Sequence, residues 1–303
     1  MAEGQKFLRL QLLTAAAPPL AASTCYDTLC SMNAFKRLGY LFLPIPPAGA
    51  PATQKKSILV GYTNCLSLTH YPEPLPEKSV QLKWYFAHAS VGANMIDGLT
   101  DLHAKDKNIY SFVSVSADKA PPEETQAGTI YEQNRGNPGW KAKFDRFESC
   151  VSKGWRFPSV NVAMNKLCYI DQGASFKYYI HSMTNLEAAF PNTIFVYSTI
   201  PLMTASDSNN YLRNAFNERL RDWVRQNGRV LFDIADIEAH DPTGAPCTFT
   251  YRKKTCQRLC DTYTADGGHL NPAGRQLVAR GFYALALALG EKKRIAPDLA
   301  EQP

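Results

Sequence analysis

Three side chains that lie far apart in the sequence have the types that nucleophilic catalysis requires. Ser90 stands in the segment 86–92, and Asp266 precedes His269 by three residues, with two glycines between them. A serine hydroxyl is a weak nucleophile near neutral pH, and a neutral imidazole activates it by accepting its proton. A neighbouring carboxylate fixes the tautomer of the imidazole and stabilises the imidazolium. These residues therefore predict serine-based catalysis if the fold brings them together.

A second interpretation of Ser90 remains open at this point. A serine between a strand and a helix often caps the helix, because its hydroxyl accepts a hydrogen bond from a backbone N–H of the first turn. His88 is interpreted as a side chain at the end of a strand rather than as a base. Segments of the form Asp-x-x-His occur in many loops, so neither motif decides the matter alone.

From about residue 80 onward, segments typical of strands alternate with amphipathic segments typical of helices. The predicted strands are 81–87, 110–115, 160–167, 193–198 and 230–234. The predicted helices are 91–103, 140–152, 175–190, 211–226 and 272–289. Strands joined through helices of this length form right-handed crossovers and a mainly parallel sheet covered on both faces. The sequence therefore predicts an α/β fold, a three-layer α/β/α sandwich with a flavodoxin-like five-stranded sheet.

Ligands of such sheets bind outside the carboxyl ends of the strands. This rule selects the connections in which chemistry is expected, namely 87–91, 116–139, 167–173, 199–209 and 235–271. Ser90 lies in the first of these connections, and Asp266 and His269 lie in the last. Because the carboxyl ends of parallel strands meet at one edge of the sheet, we expect the three side chains to lie close together.

The order of these motifs resembles that of the SGNH/GDSL hydrolases. In that family the nucleophilic serine follows the first strand, and Asp-x-x-His precedes the C-terminal helix. Here His-Ala-Ser-Val at 88–91 stands where the family usually has Gly-Asp-Ser-Leu. The segment 266–274, Asp-Gly-Gly-His-Leu-Asn-Pro-Ala-Gly, matches the last block of the family closely. The resemblance covers roughly 80–289 in the order of its elements.

The resemblance implies an activity and the role of each residue. It implies a carboxylic ester hydrolase that forms an acyl-enzyme on Ser90, with His269 as the base and Asp266 as the carboxylate that orients it. The reaction needs no metal and no organic cofactor. The implied substrates are acetyl or other short-chain esters, as small molecules or on a polysaccharide. Two alternatives keep the same fold: an acyltransferase that acts on a glycan, and a non-catalytic module that binds or assembles carbohydrate.

The middle blocks of the family supply the oxyanion hole, and the sequence matches them less well. The second block provides a backbone N–H from a glycine, and Gly136 with Asn137 is the best candidate, although the same residues are also typical of a simple turn. The third block provides an Asn side chain after the third strand. No Gly-x-Asn occurs in 166–171, and Asn165 and Asn137 are the nearest candidates. The resemblance thus assigns Gly136 and Asn137 to oxyanion or substrate binding and keeps the non-catalytic alternative open.

The composition narrows the choice of partners. The chain has 303 residues, of which 45% are hydrophobic and 20% are charged, and its formal net charge is +6. These values are ordinary for a folded protein. No block of five or six like charges occurs, so we do not expect nucleic-acid binding. No run of eighteen apolar residues occurs either, so we do not expect stable insertion into a membrane.

The N-terminal region has the layout of a secretory signal peptide. Met32 is followed by two basic residues, by the apolar run 38–45 and by small residues that end at Ala52. This order predicts translation from Met32, cleavage after Ala52, and a secreted or periplasmic protein. The alternative is an irregular N-terminal arm. The predicted organisation is an N-terminal extension (1–52) with the signal peptide (32–52), a linker or arm (53–79), the hydrolase domain (80–290) and a tail (291–303).

Six of the eight cysteines follow the predicted cleavage point, at positions 65, 150, 168, 247, 256 and 260. An even number of cysteines fits disulfide bonds in an oxidising compartment, although the pairing cannot be deduced from the sequence. A zinc site is the alternative, but no second pair of Cys or His with the spacing of zinc ligands lies nearby. We therefore expect disulfides that brace a loop near residues 247–260.

Overall fold

The computed structural model of the chain describes residues 56–67, 82–107, 113–116, 128–152 and 160–295. The predicted N-terminal extension and signal peptide lie outside the described residues, as do most of the predicted linker and the end of the predicted tail. No described helix combines the length and the apolar composition that a bilayer-spanning segment needs.

A seven-stranded sheet forms the centre of the described part of the chain. Its strands are β1 (Ile58–Val60), β2 (Trp84–His88), β3 (Val113–Ser116), β4 (Thr129–Asn134), β5 (Val162–Asn165), β6 (Ile194–Ser198) and β7 (Val230–Phe232). Their order is β1-β7-β6-β5-β2-β4-β3, and every neighbouring pair is parallel. Without the two edge strands this is the flavodoxin-like order 2-1-3-4-5. The α/β/α class is confirmed, but the sheet has seven strands rather than the predicted five.

Two of these strands, β1 and β4, were not predicted. β1 has only three residues, lies within the predicted linker 53–79 and pairs with β7. β4 lies within the predicted loop 116–139, where it separates β2 from the predicted second strand, which is the edge strand β3. Only the first three residues of β4 are fully buried, because its Glu-Gln-Asn end emerges towards solvent. A short strand and a half-polar strand both lack a strong apolar pattern.

Helices cover both faces of the sheet. They are α1 (Tyr62–Ser67), α2 (Val91–Lys105), α3 (Trp140–Ser152), α4 (Phe176–Ala189), α5 (Ser208–Asn227), α6 (Ile234–Glu238) and α7 (Pro272–Ile295). Helices α1, α2, α6 and α7 pack in one hydrophobic core, and α3, α4 and α5 pack in the other. Short 3-10 helices span 169–171 and 261–263.

An antiparallel hairpin stands apart from the main sheet. Its strands are β8 (Thr248–Tyr251) and β9 (Lys254–Gln257), and a disulfide between Cys247 and Cys260 closes its base. The expectation of a disulfide-braced loop is therefore confirmed for one bond. The four other described cysteines are free thiols, at positions 65, 150, 168 and 256. The even number of cysteines therefore does not mean that all of them form disulfide bonds. Cys65 and Cys168 are instead buried in the protein as small side chains.

β2, the strand that leads to Ser90, is buried along its whole length. Its side chains alternate between the two cores: Trp84 packs against Phe282 of α7, whereas Tyr85 stacks on Phe147 of α3. A central parallel strand needs apolar side chains on both faces, which explains the sequence Trp-Tyr-Phe-Ala. The end of β2, and with it the position of Ser90, is fixed by packing from both sides.

The helices that follow Ser90 and His269 lie against each other. Gly98 of α2 meets the backbone of α7 so closely that a Cβ atom at position 98 would overlap the carbonyl oxygen of Arg275. The guanidinium of Arg275 forms two hydrogen bonds with the carboxylate of Asp101, at 2.6 and 3.0 Å. Because α2 begins after Ser90 and α7 begins after His269, this contact sets the spacing of the two residues.

Gly98→Ala is expected to lower the free energy of unfolding by about 1–3 kcal/mol, the usual cost of overpacking, although alanine is the better helix former. The added methyl group would meet a backbone oxygen, which cannot rotate away as a side chain can. Chemical denaturation measures the change. Gly173→Ala is the matched control, because a Cβ atom at position 173 has no neighbour within 4 Å. Parental stability of Gly98→Ala would contradict the close approach of α2 and α7.

Candidate active site

Ser90 occupies the junction between β2 and α2 in an unusual backbone conformation. Its φ is 55° and its ψ is −114°, and it is one of three described non-glycine residues with positive φ. Such a conformation is strained, and strained residues cluster at functional sites. The Ser90 side chain makes no capping hydrogen bond to α2. The capping interpretation of Ser90 is therefore wrong.

The turn at Ser90 is tight enough to require a glycine two residues later. A Cβ atom at Gly92 would overlap the side chain of His88, because the first turn of α2 lies directly on the end of β2. The Ser90 backbone N–H donates to no acceptor among the described residues, as expected at the amino end of a helix. The junction thus presents the Ser90 hydroxyl and a backbone donor at the carboxyl edge of the sheet.

The structure brings Ser90 together with His269 and Asp266, as the sequence predicted. The Oγ atom of Ser90 lies 2.6 Å from Nε2 of His269, although the two residues are 179 positions apart. On the other side of the ring, Nδ1 of His269 lies 2.6 Å from Oδ2 of Asp266. The three side chains form one continuous hydrogen-bonded chain from hydroxyl to carboxylate.

The turn from Asp266 to His269 keeps the carboxylate ionised. The backbone N–H of His269 and that of Gly268 both donate to Oδ1 of Asp266, at 2.8 and 2.9 Å. The N–H of His269, its side chain and the N–H of Gly268 together hold the pKa of Asp266 well below its usual range. An ionised carboxylate beside Nδ1 places the ring proton on Nδ1, so that the lone pair of Nε2 faces Ser90.

Neighbouring segments hold the loop that carries His269. The backbone N–H of Leu270 donates to Oδ1 of Asn94 in α2, at 3.0 Å. The backbone N–H of Thr204, in the loop after β6, donates to the carbonyl oxygen of Gly267, at 3.0 Å. Gly267 has a φ of 85°, which favours glycine at this position. The side chains of His269 and Asp266 are 44% and 57% exposed, so the site is open to solvent.

Gly136 and Asn137 follow β4 at the same edge of the sheet, and both are exposed. Gly136 has a φ of 67°, and its N–H donates to Oδ1 of Asn134 at 3.3 Å, within the turn itself. In the described part of the chain, no hydrogen bond joins either residue to Ser90 or His269. Their role in binding an oxyanion stays a prediction.

Asn165, the other candidate from the sequence, is fully buried at the end of β5 and lies beside Ala87 in the sheet register. Neither its amide oxygen nor its amide nitrogen has a hydrogen-bond partner among the described residues. The structure thus buries this amide at the carboxyl end of β5, and no hydrogen bond among the described residues joins it to Ser90 or His269.

The loop after β5 contributes a residue that the sequence analysis did not single out. The hydroxyl oxygen of Tyr169 lies 3.3 Å from Nε2 of His269, the same nitrogen that Ser90 faces. The two rings are arranged edge to face, with centroids 5.5 Å apart. The only signal in the sequence was the position of Tyr169 in 167–173, a connection at the carboxyl end of a strand.

His88 has the structural role that its position at a strand end indicates. Its side chain is buried, Nε2 lies 2.7 Å from Oε2 of Glu132, and its ring stacks on Phe86. Burial lowers the pKa of His88, and the hydrogen bond to Glu132 opposes this effect in part. The neutral imidazole is therefore the form that the folded protein favours.

His88→Gln is expected to make protein stability less dependent on pH. Because the pKa of His88 is lower in the folded protein than in the unfolded chain, its contribution is present above the unfolded pKa of about 6.5 and is lost as the pH falls below it. The free energy of unfolding of the parent should thus fall more than that of His88→Gln between about pH 7 and about pH 5. Urea denaturation measures both slopes. His181→Gln, at an exposed position of α4, is the matched control. Equal slopes for the parent and His88→Gln would contradict the burial effect.

Comparisons with known proteins add likenesses of fold. No family model matches the chain, and no curated protein sequence matches it. Solved structures to which it is similar include a GDSL-like lipase from Bacteroides thetaiotaomicron, with a TM-score of 0.43 and 9% identity over 76% of this chain and 96% of that chain. Another is a carbohydrate esterase family 3 protein from Talaromyces cellulolyticus, with a TM-score of 0.43 and 13% identity over 70% of this chain and 99% of that chain. In its own strand order and in the placing of Ser90, Asp266 and His269, the chain resembles the SGNH/GDSL hydrolases.

Proposed function

We propose that the protein is a serine hydrolase that cleaves carboxylic esters through Ser90, His269 and Asp266. One observation carries the proposal: Oγ of Ser90, both ring nitrogens of His269 and Oδ2 of Asp266 form a continuous chain with two contacts of 2.6 Å. This is the arrangement that general-base activation of a serine requires. The strained backbone of Ser90 and its lack of a capping bond support the same assignment.

The first half of the proposed reaction forms an acyl-enzyme. Nε2 of His269 takes the hydroxyl proton of Ser90 while Oγ attacks the ester carbonyl carbon, and the carbonyl electrons move to the oxygen. Asp266 stabilises the imidazolium that results. The N–H of Ser90, at the amino end of α2, faces the oxyanion. His269 then gives its proton to the departing alcohol, and the carbonyl re-forms on Ser90.

The second half releases the acid. Water enters in place of the alcohol, loses a proton to Nε2 of His269 and attacks the acyl carbon. Collapse of the second tetrahedral intermediate breaks its bond to Oγ, and His269 returns the proton to Ser90. The exposure of His269 and Asp266 lets water reach the acyl-enzyme, which favours hydrolysis over transfer to a second alcohol.

The proposed substrates are esters of acetyl or other short acyl groups, either as small molecules or on a carbohydrate chain. The exposure of His269 and Asp266 supports this choice, because an ester that projects from a large polymer can approach a site at the protein surface more easily than one in a deep cleft. To identify the preferred ester, the rates of hydrolysis of p-nitrophenyl esters of increasing acyl length are compared with those of acetylated polysaccharides.

Ser90→Ala is expected to abolish covalent labelling by a fluorophosphonate and to lower the hydrolysis of p-nitrophenyl acetate by about 10⁴-fold or more. Mass spectrometry of the labelled parent should locate the adduct on Ser90. Ser175→Ala is the matched control, because Ser175 does cap a helix: its Oγ accepts from the N–H of Tyr178. That variant should keep both labelling and turnover and lose only about 1 kcal/mol of stability.

Other outcomes of this experiment would overturn the proposal. An adduct on a different residue, or unchanged turnover in Ser90→Ala, would contradict the role of Ser90. A parent that neither reacts with the phosphonate nor hydrolyses the ester would favour a non-catalytic carbohydrate-binding module. Acylated glycan as the main product, when a glycan acceptor is present, would identify a transferase.

We also propose that the protein is secreted or periplasmic, with cleavage after Ala52. The disulfide between Cys247 and Cys260 supports this proposal, because disulfides persist mainly in oxidising compartments. N-terminal sequencing of the protein recovered from its native cells should find a chain that begins at Thr53. A mature protein that begins at Met1 would contradict the predicted signal peptide.

A further inference from the structure

The phenol of Tyr169 and the hydroxyl of Ser90 converge on one atom. Nε2 of His269 lies 2.6 Å from Oγ of Ser90 and 3.3 Å from the hydroxyl oxygen of Tyr169. A carbonyl carbon bonded to Oγ, and the oxygen bonded to that carbon, would therefore form beside the phenol. Tyr169 is in a position to touch the reacting group itself as well as the base.

The backbone around Tyr169 is held from several sides. Its carbonyl oxygen accepts a hydrogen bond of 2.6 Å from Nε of Arg213, and its ring lies against Gly268, where a Cβ atom would come within 3.0 Å of it. The preceding residue, Cys168, donates its backbone N–H to Asp171 at 2.7 Å and its thiol to the carbonyl oxygen of Ala89 at 3.5 Å. The last contact ties the Tyr169 loop directly to the residue before Ser90.

A buried ion pair fixes the other end of the same loop. Nζ of Lys143, in α3, lies 2.5 Å from Oδ2 of Asp171, and both side chains are almost fully buried. A buried pair of this kind holds its backbone rigidly, because breaking it would leave a charge unpaired in the protein interior. The phenol of Tyr169 is thus preorganised beside the triad, which is what electrostatic stabilisation of a transition state requires.

The hydrogen-bond donors for an oxyanion are few in the described part of the site. The backbone N–H of Ser90 is available, but the N–H of Gly136 already donates to Asn134, and the amide of Asn165 is buried. An oxyanion held by one donor alone is poorly stabilised, since removal of one donor in such a site typically costs about 10²- to 10³-fold in rate. The hydroxyl of Tyr169 is the side-chain donor that lies next to the reacting atoms.

We propose that the hydroxyl of Tyr169 donates a hydrogen bond to the oxyanion of the tetrahedral intermediate. The inference rests on the proposed ester hydrolysis. Before attack, the phenol proton can point at the lone pair of Nε2. When His269 takes the proton of Ser90, Nε2 no longer has a free lone pair to accept from the phenol, so the phenol proton turns to the oxyanion. No covalent bond of Tyr169 changes.

This exchange makes the interaction stronger in the transition state than in the ground state. The phenol competes weakly for Nε2 in the free enzyme and gains an anionic acceptor only when charge develops on the substrate oxygen. An interaction that strengthens in this way raises kcat and leaves ground-state binding almost unchanged. The binding of a substrate analogue and that of a transition-state analogue should therefore respond differently to the loss of the hydroxyl.

Tyr169→Phe is expected to lower kcat for p-nitrophenyl acetate by about 10²-fold, with KM within about twofold of the parent. The affinity for a trifluoromethyl ketone that adds to Ser90 and forms an oxyanion should fall by the same factor as kcat/KM. Phenylalanine keeps the ring contacts with His269 and Gly268, so the folded structure should be retained. Tyr178→Phe is the matched control: it loses a hydroxyl contact of 2.5 Å to Asp145, away from the triad, and should keep the parental kcat.

The readouts separate this role from a positioning role and from failure of the proposed function. If Tyr169 only positions His269, Tyr169→Phe will shift the pH dependence of kcat/KM and keep the ketone affinity, which would overturn the inference. Parental kcat in Tyr169→Phe would overturn it as well. If the parent neither hydrolyses the ester nor takes the phosphonate on Ser90, the proposed function itself is wrong.

Discussion

The close contact between α2 and α7 is the constraint on which the candidate site depends. Ser90 and His269 are 179 residues apart in the sequence. Ser90 follows β2, and His269 lies in the loop after the 3-10 helix at 261–263, so neither segment alone determines the distance between the two side chains. Gly98 lets the two helices approach so closely that a Cβ atom at position 98 would overlap the backbone of α7. The short distance between the side chains of Ser90 and His269 therefore depends on the absence of a side chain at Gly98.

Charge is distributed very differently in the two halves of the site. The side chains of His269 and Asp266 are exposed, and the carboxylate of Asp266 is ionised because backbone N–H groups and His269 surround it. The loop after β5 is anchored instead by a buried pair, Lys143 with Asp171, whose desolvation is offset by further hydrogen bonds such as that from the N–H of Cys168. The exposed half is suited to exchange with water and substrate, and the buried half is suited to hold Tyr169 still.

The sequence predicted the layers and the meeting of Ser90 with Asp266 and His269, because each depends on a pattern that repeats along the chain or on the rule for strand ends. It did not predict β4, whose last three residues are polar. Nor did it predict that the backbone N–H of Gly136 donates a hydrogen bond to Asn134 within the same turn. It also missed Tyr169, because a single tyrosine in a loop has no pattern; its importance lies in a distance of 3.3 Å to an atom 100 residues away.

β1 has a consequence beyond the site. Its three residues pair with β7, and Oγ of the preceding Ser57 bonds to the carbonyl oxygens of Val224 and Arg225 at the end of α5, each at 3.1 Å. Without this segment, β7 would become the edge of the sheet, with unpaired backbone groups beside apolar side chains. Such an edge is a template for strand addition between molecules. The three residues of β1 thus cover an edge that would otherwise favour aggregation, and removal of the chain up to Ile58 would leave β7 open to pairing with other copies of the protein.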